Sequence, residues 1–116
     1  MIEMEEMTKY LERGLFRPYV LWKCSKSQIS GMDLLDAEKV HQHVLSPGKL
    51  YPVLHKLMSD GLLTEEPRIE HGRIHKYYRT TSKGVKALEK LRIDLGPPMK
   101  DFLVEWLRDS IEARTA

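Results

Sequence analysis

The stretch Ser46 to Gly61, SPGKLYPVLHKLMSDG, constrains this chain more than any other. It opens and closes on helix punctuation. Ser46 is a good N-cap, because its hydroxyl accepts from the unpaired amides of a first turn. Pro47 fits the first helical position, where a missing N–H costs nothing, and Gly61 suits the left-handed residue that ends a helix. Between them Leu50, Val53, Leu54, Leu57 and Met58 recur at helical spacing, so one stripe faces a core. The other face carries Lys49, Tyr51, Pro52, His55, Lys56 and Ser59, with positive charge and donors but no carboxylate. A major-groove helix needs that division; an ordinary solvated amphipathic helix also satisfies it.

The following residues choose between the two. Leu62-Leu63-Thr64 leads into Pro67-Arg68-Ile69, Glu70-His71-Gly72 reads as a turn, and Arg73 to Thr80 (RIHKYYRT) reads as a return strand rich in aromatic and β-branched residues. Pro67 cannot donate to a ladder, which places the first strand at an edge or a bulge. A helix followed by a basic-tipped hairpin is the layout of a winged helix-turn-helix. Its wing would present Arg68, Arg73 and Lys76 to phosphate or to the minor groove.

With these residues in view, SPGKLYPVLHKLMSDGLL followed by GRIHKYYRTTSKG resembles the signature of the PadR family of winged-helix transcriptional regulators. The matching pieces are Gly48, Leu50-Tyr51-Pro52, Gly61-Leu62-Leu63, Gly72-Arg73, Lys76-Tyr77-Tyr78 and Thr81 to Gly84, over residues 46–84, with a weaker echo at Ile29-Ser30-Gly31. Two departures stand out: Thr80 occupies a place where the family usually has Leu, and the segment before residue 30 is unusually charged. The resemblance implies DNA binding, dimers formed through C-terminal helices and, in some members, ligand sensing near the dimer interface.

At 116 residues the chain is large enough for a small core but not for a roomy enzyme cleft. Its formal net charge is only +2, yet residues 46–92 hold ten Lys/Arg against five Asp/Glu, a local +5 that leaves −3 for the rest. A basic middle between mildly acidic ends is the footprint of a DNA-binding unit with separate interaction segments. A single cysteine, Cys24, excludes an internal disulfide and a cysteine-based metal cage. The beginning, MIEMEEMTKYLERG, is acidic and amphipathic, unlike a secretory signal, and no run approaches the roughly 18 apolar residues of a membrane span. A cytoplasmic location is the default expectation.

Met4, Met7 and Leu11 form a thin stripe on an N-terminal helix that Gly14 is expected to stop. Pro18 is expected to open a new helix whose run Tyr19 to Cys24 packs inward, Trp22 included, with Cys24 as a small buried hydrophobe. Ser25 to Gln28 reads as a loop. Ser30 caps a supporting helix with Asp33 in its first turn and Met32, Leu34, Leu35 and Val40 along it. Thr81 caps a fourth helix with Val85, Leu88, Leu91 and Leu95 inward, and Gly96-Pro97-Pro98 is expected to break it. A fifth helix then carries Met99, Phe102, Leu103, Trp106, Leu107 and Ile111 on one broad apolar face, too large to leave in water.

The expectation is therefore an α+β winged helix-turn-helix with a two-stranded wing and an added C-terminal dimerisation helix. Residues 1–14 form an N-terminal helical extension, 15–95 the DNA-binding domain and 96–116 the dimerisation helix. The DNA set is Ser46, Lys49, Tyr51, Pro52, His55, Lys56, Arg68, Arg73 and Lys76. The dimer seam is Met99, Phe102, Leu103, Trp106, Leu107 and Ile111, with Phe102 and Trp106 also candidates to hold a flat, apolar effector. Partners are double-stranded DNA and a second copy of the chain. No cofactor or metal is implied: His41 and His43, two apart, point away from each other on a helix, and His71 and His75 have no carboxylate or thiol set. The function expected is a sequence-specific repressor, not an enzyme. An architectural DNA protein and a winged-helix protein-interaction module are the alternatives.

Overall fold

A computed structural model describes residues 4–40 and 47–115. The elements run α1 (Met4–Lys26), β1 (Ile29–Ser30), α2 (Gly31–Val40), α3 (Pro47–Ser59), β2 (Leu63–Glu70), β3 (Arg73–Thr80) and α4 (Ser82–Thr115). The chain separates into two compact units, with the boundary between Val85 and Lys86.

The first unit is built on α1, which corrects one expectation. Gly14 does not stop the helix and Pro18 does not start one; both lie inside a continuous 23-residue helix that runs on through Ser25 to Lys26. Proline inside a helix costs about 3 kcal/mol by deleting one backbone bond and crowding a carbonyl. Val20, Leu21 and Cys24 are buried on the next turns, and each large apolar side chain removed from water returns roughly 1.5–3 kcal/mol. Burial outweighs the local breaker. Trp22 is a second correction: it is not core but 44 % exposed. It lies about 200° around the helix from Val20, with the Lys26 and Lys23 ammonium groups 4.4 and 5.5 Å from its ring.

Cys24 is buried, as expected. It joins Val20, Leu21, Leu34, Leu35, Leu50, Leu54, Leu57, Leu63 and Tyr78 in one core drawn from three helices and the sheet. The Ser30 cap is present, its Oγ accepting from the Asp33 amide at 3.1 Å. The same residue belongs to a strand absent from the sequence reading. Ile29–Ser30 pairs with Tyr78 and Tyr77, giving an antiparallel sheet in the order β1-β3-β2.

Pro67 sits on β2, an edge strand as expected, opposite Lys76. The hairpin closes in a two-residue turn with Glu70 facing Arg73, and both turn residues have positive φ, 52° at His71 and 76° at Gly72. That is the turn whose twist matches a right-handed β ribbon.

Helix α3 has the expected buried stripe of Leu50, Leu54 and Leu57, with Val53 and Met58 half-buried. It ends with paired backbone bonds, Gly61 N–H to Met58 O at 3.0 Å and Leu62 N–H to Leu57 O at 2.9 Å. Gly61 itself has a φ of 76°, so the stop is a Schellman motif. The cap assigned to Ser46 falls outside the described residues.

The second unit is the rest of α4. Gly96-Pro97-Pro98 does not break it; the helix is continuous for 34 residues with both prolines inside. The Thr81 cap is present, its Oγ1 accepting from the Gly84 amide at 3.1 Å. Contrary to expectation, Val85, Leu91 and Leu95 are exposed rather than inward, and only Leu88 is half-buried.

Candidate nucleic-acid interface

Buried Leu50, Leu54 and Leu57 fix the rotation of α3, so the opposite face is set by the core. Gly48, Lys49, Tyr51, Pro52, His55 and Lys56 are all exposed there, together on one element. Lys49 and His55 form no hydrogen bond or ion pair with any described residue. Lys56 is 3.2 Å from Asp60, one turn on. Both partners are exposed, and such pairs hold by ~0–1 kcal/mol, so Lys56 is readily released to another anion.

The wing separates the three cations expected to act together. Side chains alternate along a strand. Lys76 projects with Ile74 and Tyr78, whereas Arg73 projects with His75 and Tyr77. Arg73, next to the turn, is exposed and has no ion-pair partner among the described residues. Lys76 lies 3.9 Å from Glu65 on the neighbouring strand. Arg68 is occupied: its Nη2 donates to Gln28 Oε1, its guanidinium sits 4.4 Å from the Tyr77 ring centre, and Glu66 is 3.7 Å away. Gln28 in turn donates to Glu66 Oε2 at 2.6 Å, and Tyr77 donates to Glu70 Oε1 at 2.7 Å. The bond to Glu70 holds the Tyr77 phenol above its ordinary value. This network ties the wing to the segment after α1. Gln28 carried no signal in the sequence, because one polar residue between a helix and a two-residue strand matches any loop.

On α4, Met99, Phe102, Leu103, Trp106 and Leu107 are all exposed. Phe102 and Trp106 stack with ring centres 5.7 Å apart and planes 9° from parallel. The side chain of Ile111 lies outside the described ones. Among the described residues no three His, Cys, Asp or Glu come together to hold a metal ion, and no helix is long and apolar enough to cross a membrane.

A supporting helix, a second helix with a basic exposed face and a β-hairpin beside it define a winged helix-turn-helix protein. The profile of the transcriptional regulator PadR-like family matches residues 20–90. The chain is 37 % identical over 81 residues to the transcriptional regulator Rv3488 of Mycobacterium tuberculosis, covering 70 % of this chain and 76 % of that protein. Among solved structures it resembles a PadR family transcriptional regulator from Eggerthella lenta (TM-score 0.76, 27 % identity, 89 % of this chain and 90 % of that one). It also shares its fold with a PadR-like transcription factor from Bacteroides fragilis (TM-score 0.71, 23 % identity, 84 % and 95 %). This chain belongs to the PadR-like family of transcriptional regulators.

Proposed function

We propose that the protein is a homodimeric repressor that binds a specific sequence of duplex DNA in the cytoplasm. The observation that carries this reading is the exposed face of α3, which presents Lys49, Tyr51, Pro52, His55 and Lys56 and no acidic side chain, on a helix whose other face is locked in the core. Such a face lies in the major groove, where Lys49, Tyr51 and His55 meet base edges and Lys56 meets phosphate. Ser46, just ahead of α3, is assigned to a phosphate at the helix start. Arg73 takes the backbone or minor groove beside the wing, Lys76 a phosphate on the wing's other face, and Arg68 keeps the wing in place. The chemistry is non-catalytic: an occupied operator excludes the transcription machinery.

The apolar stripe of α4 supplies the second half of the reading. Five large side chains exposed on one helix are costly in water, and pairing α4 with its copy buries them. A two-fold dimer then places two α3 helices on half-sites about 34–36 Å apart. Phe102 and Trp106 offer a flat apolar effector a place at that seam.

The test is fluorescence anisotropy with the protein's own upstream DNA against shuffled DNA, each at two salt concentrations. A preference of ~10³-fold or more, with affinity falling steeply in salt, is the expected result. Steep salt dependence without preference identifies an architectural protein instead, and no binding at either salt removes DNA as the partner.

A further inference from the structure

Strand β1 pairs with β3 at Tyr77 and Tyr78 alone. Residues 67–76 therefore extend past the third strand as a two-stranded ribbon. A ribbon of two strands is marginal in water and twists readily, so the ladder by itself does not fix where the tip of the wing points.

Gln28, directly ahead of β1, supplies what the ladder lacks. Its Nε2 donates to Glu66 Oε2 at 2.6 Å, and its Oε1 accepts from Arg68 Nη2. Glu66 and Arg68 are two apart on β2, so their side chains leave the same face. Strands β1 and β2 flank β3 on opposite sides, so this bridge spans the width of the sheet. Between them, on the central strand, the Tyr77 ring centre lies 4.4 Å from the Arg68 guanidinium, and the Tyr77 hydroxyl donates to Glu70 at the end of β2.

The pair on β2 is matched to an amide. Glu66 calls for a donor and Arg68 for an acceptor, and glutamine carries one of each. The reverse orientation of the amide would set its oxygen against a carboxylate and its nitrogen against a guanidinium, so the partners decide which way it lies. The direct contact between Arg68 and Glu66 is 3.7 Å and exposed, and holds weakly. Gln28 is what makes the three groups a unit.

Arg73 stands on the same face of β3 as Tyr77, four residues nearer the tip, exposed and with no ion-pair partner among the described residues. Four residues of strand are about 13 Å, so a tilt of about 10° at Tyr77 carries Arg73 about 2 Å, enough to lose a hydrogen bond. We propose that Gln28 is a positioning residue for DNA recognition: it touches no DNA, and its amide, bridging Glu66 and Arg68, fixes the angle at which the wing presents Arg73. The DNA half of this proposal rests on the reading above; the bridge itself does not.

The experiment compares the full chain with Gln28→Ala, Gln28→Glu, Glu66→Gln and the double variant Gln28→Glu with Glu66→Gln. Amide exchange over residues 67–76 reads the wing, and anisotropy with the protein's own upstream DNA reads recognition. Gln28→Ala speeds that exchange about tenfold. It weakens DNA binding about fivefold at an unchanged salt slope, because no charge is removed. Gln28→Glu sets a second carboxylate against Glu66 and is worse in both readouts. Adding Glu66→Gln returns a donor to the bridge at the parent's net charge, and both readouts recover to within about twofold of the parent. A residue that only stabilised the fold would speed exchange in α1 and α3 as well, and the exchanged pair would not rescue it. Exchange unchanged in Gln28→Ala, or no recovery in the double variant, overturns the bridge even if DNA binding stands. Faster exchange with DNA affinity unaltered overturns the positioning role and leaves the DNA-binding reading intact. A parent that binds no DNA sinks that reading and the positioning role with it, whatever the exchange shows.

Discussion

The hydroxyl of Thr80, the last residue of β3, donates to the backbone carbonyl of Leu21 in α1 at 2.7 Å, both residues being buried. The bond joins the end of the wing to the helix that forms the floor of the core. The departure from the family pattern at residue 80 is thereby explained: where Leu would supply apolar contact, Thr80 supplies a buried donor that meets the second lone pair of a helical carbonyl.

Thr80→Val keeps the shape and removes the donor. A buried hydrogen bond of this kind contributes about 0.5–1.5 kcal/mol. The expected outcome is a urea midpoint lowered by that loss divided by the denaturant slope, with the slope itself unchanged, since the surface exposed on unfolding is the same. An unchanged midpoint would show that the bond contributes nothing net.

Gly84 stands where the chain leaves the sheet for α4, and a Cβ there would come 2.4 Å from the Leu62 carbonyl oxygen and 2.5 Å from Thr80 Cγ2. One obstacle is backbone and the other is a short buried side chain, so neither moves cheaply. Gly84→Ala, elsewhere a helix-favouring change, is expected to destabilise the protein by ~2 kcal/mol or more through overpacking. Thermal unfolding reads this directly. A variant more stable than the parent would mean that the approach relaxes without cost.

Cys24 and Tyr78 make stability fall in alkali. Burial pushes the thiol from 9.0 up to about 12 and the phenol from 10.0 up to about 12. Both groups are neutral when protonated, so above pH 9 the unfolded chain releases protons that the folded chain holds. Their contribution is complete below about pH 9 and drains away as pH rises towards 12. Urea midpoints flat from pH 7 to 8.5 and declining beyond pH 9 are expected, along with a thiol that iodoacetamide alkylates only after denaturation. Rapid alkylation of the native protein would contradict the burial.

What the sequence disclosed follows how local each signal is. The stripe of α3, its glycine stop, the two caps at Ser30 and Thr81 and the edge position of Pro67 are written within one or two turns of chain, and they appear as read. Pro18 and Pro97-Pro98 misled for the complementary reason. A proline's cost is local, whereas the burial of Val20 and Cys24 that offsets it on α1 depends on the rest of the fold. The two-residue strand β1 is too short to show any periodicity and exists only because β3 offers an edge. In the candidate interface, Lys49, Tyr51 and His55 emerge together on α3. The occupation of Arg68 by Gln28, and the approach of Tyr51 to Gly31, required contacts between elements 40 and 20 residues apart.

That contrast makes the two wing arginines separable. Arg73 is exposed without an ion-pair partner among the described residues, so Arg73→Ala removes charge and little else. DNA affinity is expected to fall several-fold in a sequence-independent way, with a salt slope about one unit shallower. Adding Lys76→Ala should flatten the slope further, and an unchanged slope in the double variant would remove the wing from DNA binding. Arg68→Ala breaks the bond to Gln28 and the packing on Tyr77. Its expected signature is faster amide exchange along β2 and β3, with a salt slope close to that of the parent.

The α4 stripe gives the prediction on which the assembled molecule depends. Leu91, Leu95, Met99, Phe102 and Trp106 recur at steps of three or four residues and are all exposed in the single chain. The exposed stripe therefore continues across Pro97-Pro98 rather than starting after them. Each such side chain buried against a second copy contributes roughly 1.5–3 kcal/mol, enough in sum to exceed the cost of association. A glutamate at the centre of the stripe opposes its own copy across a two-fold axis, so its charge counts twice. Leu103→Glu is expected to convert a dimer into a monomer at micromolar concentration by light scattering, and to lower affinity for a two-half-site operator at least tenfold, because the second α3 is no longer tethered. Binding to a single half-site should be unchanged, since α3 and the wing belong to the other compact unit. A Leu103→Glu protein that stays dimeric would place the dimer contact elsewhere on the chain, and a monomeric parent would remove the dimer from the mechanism.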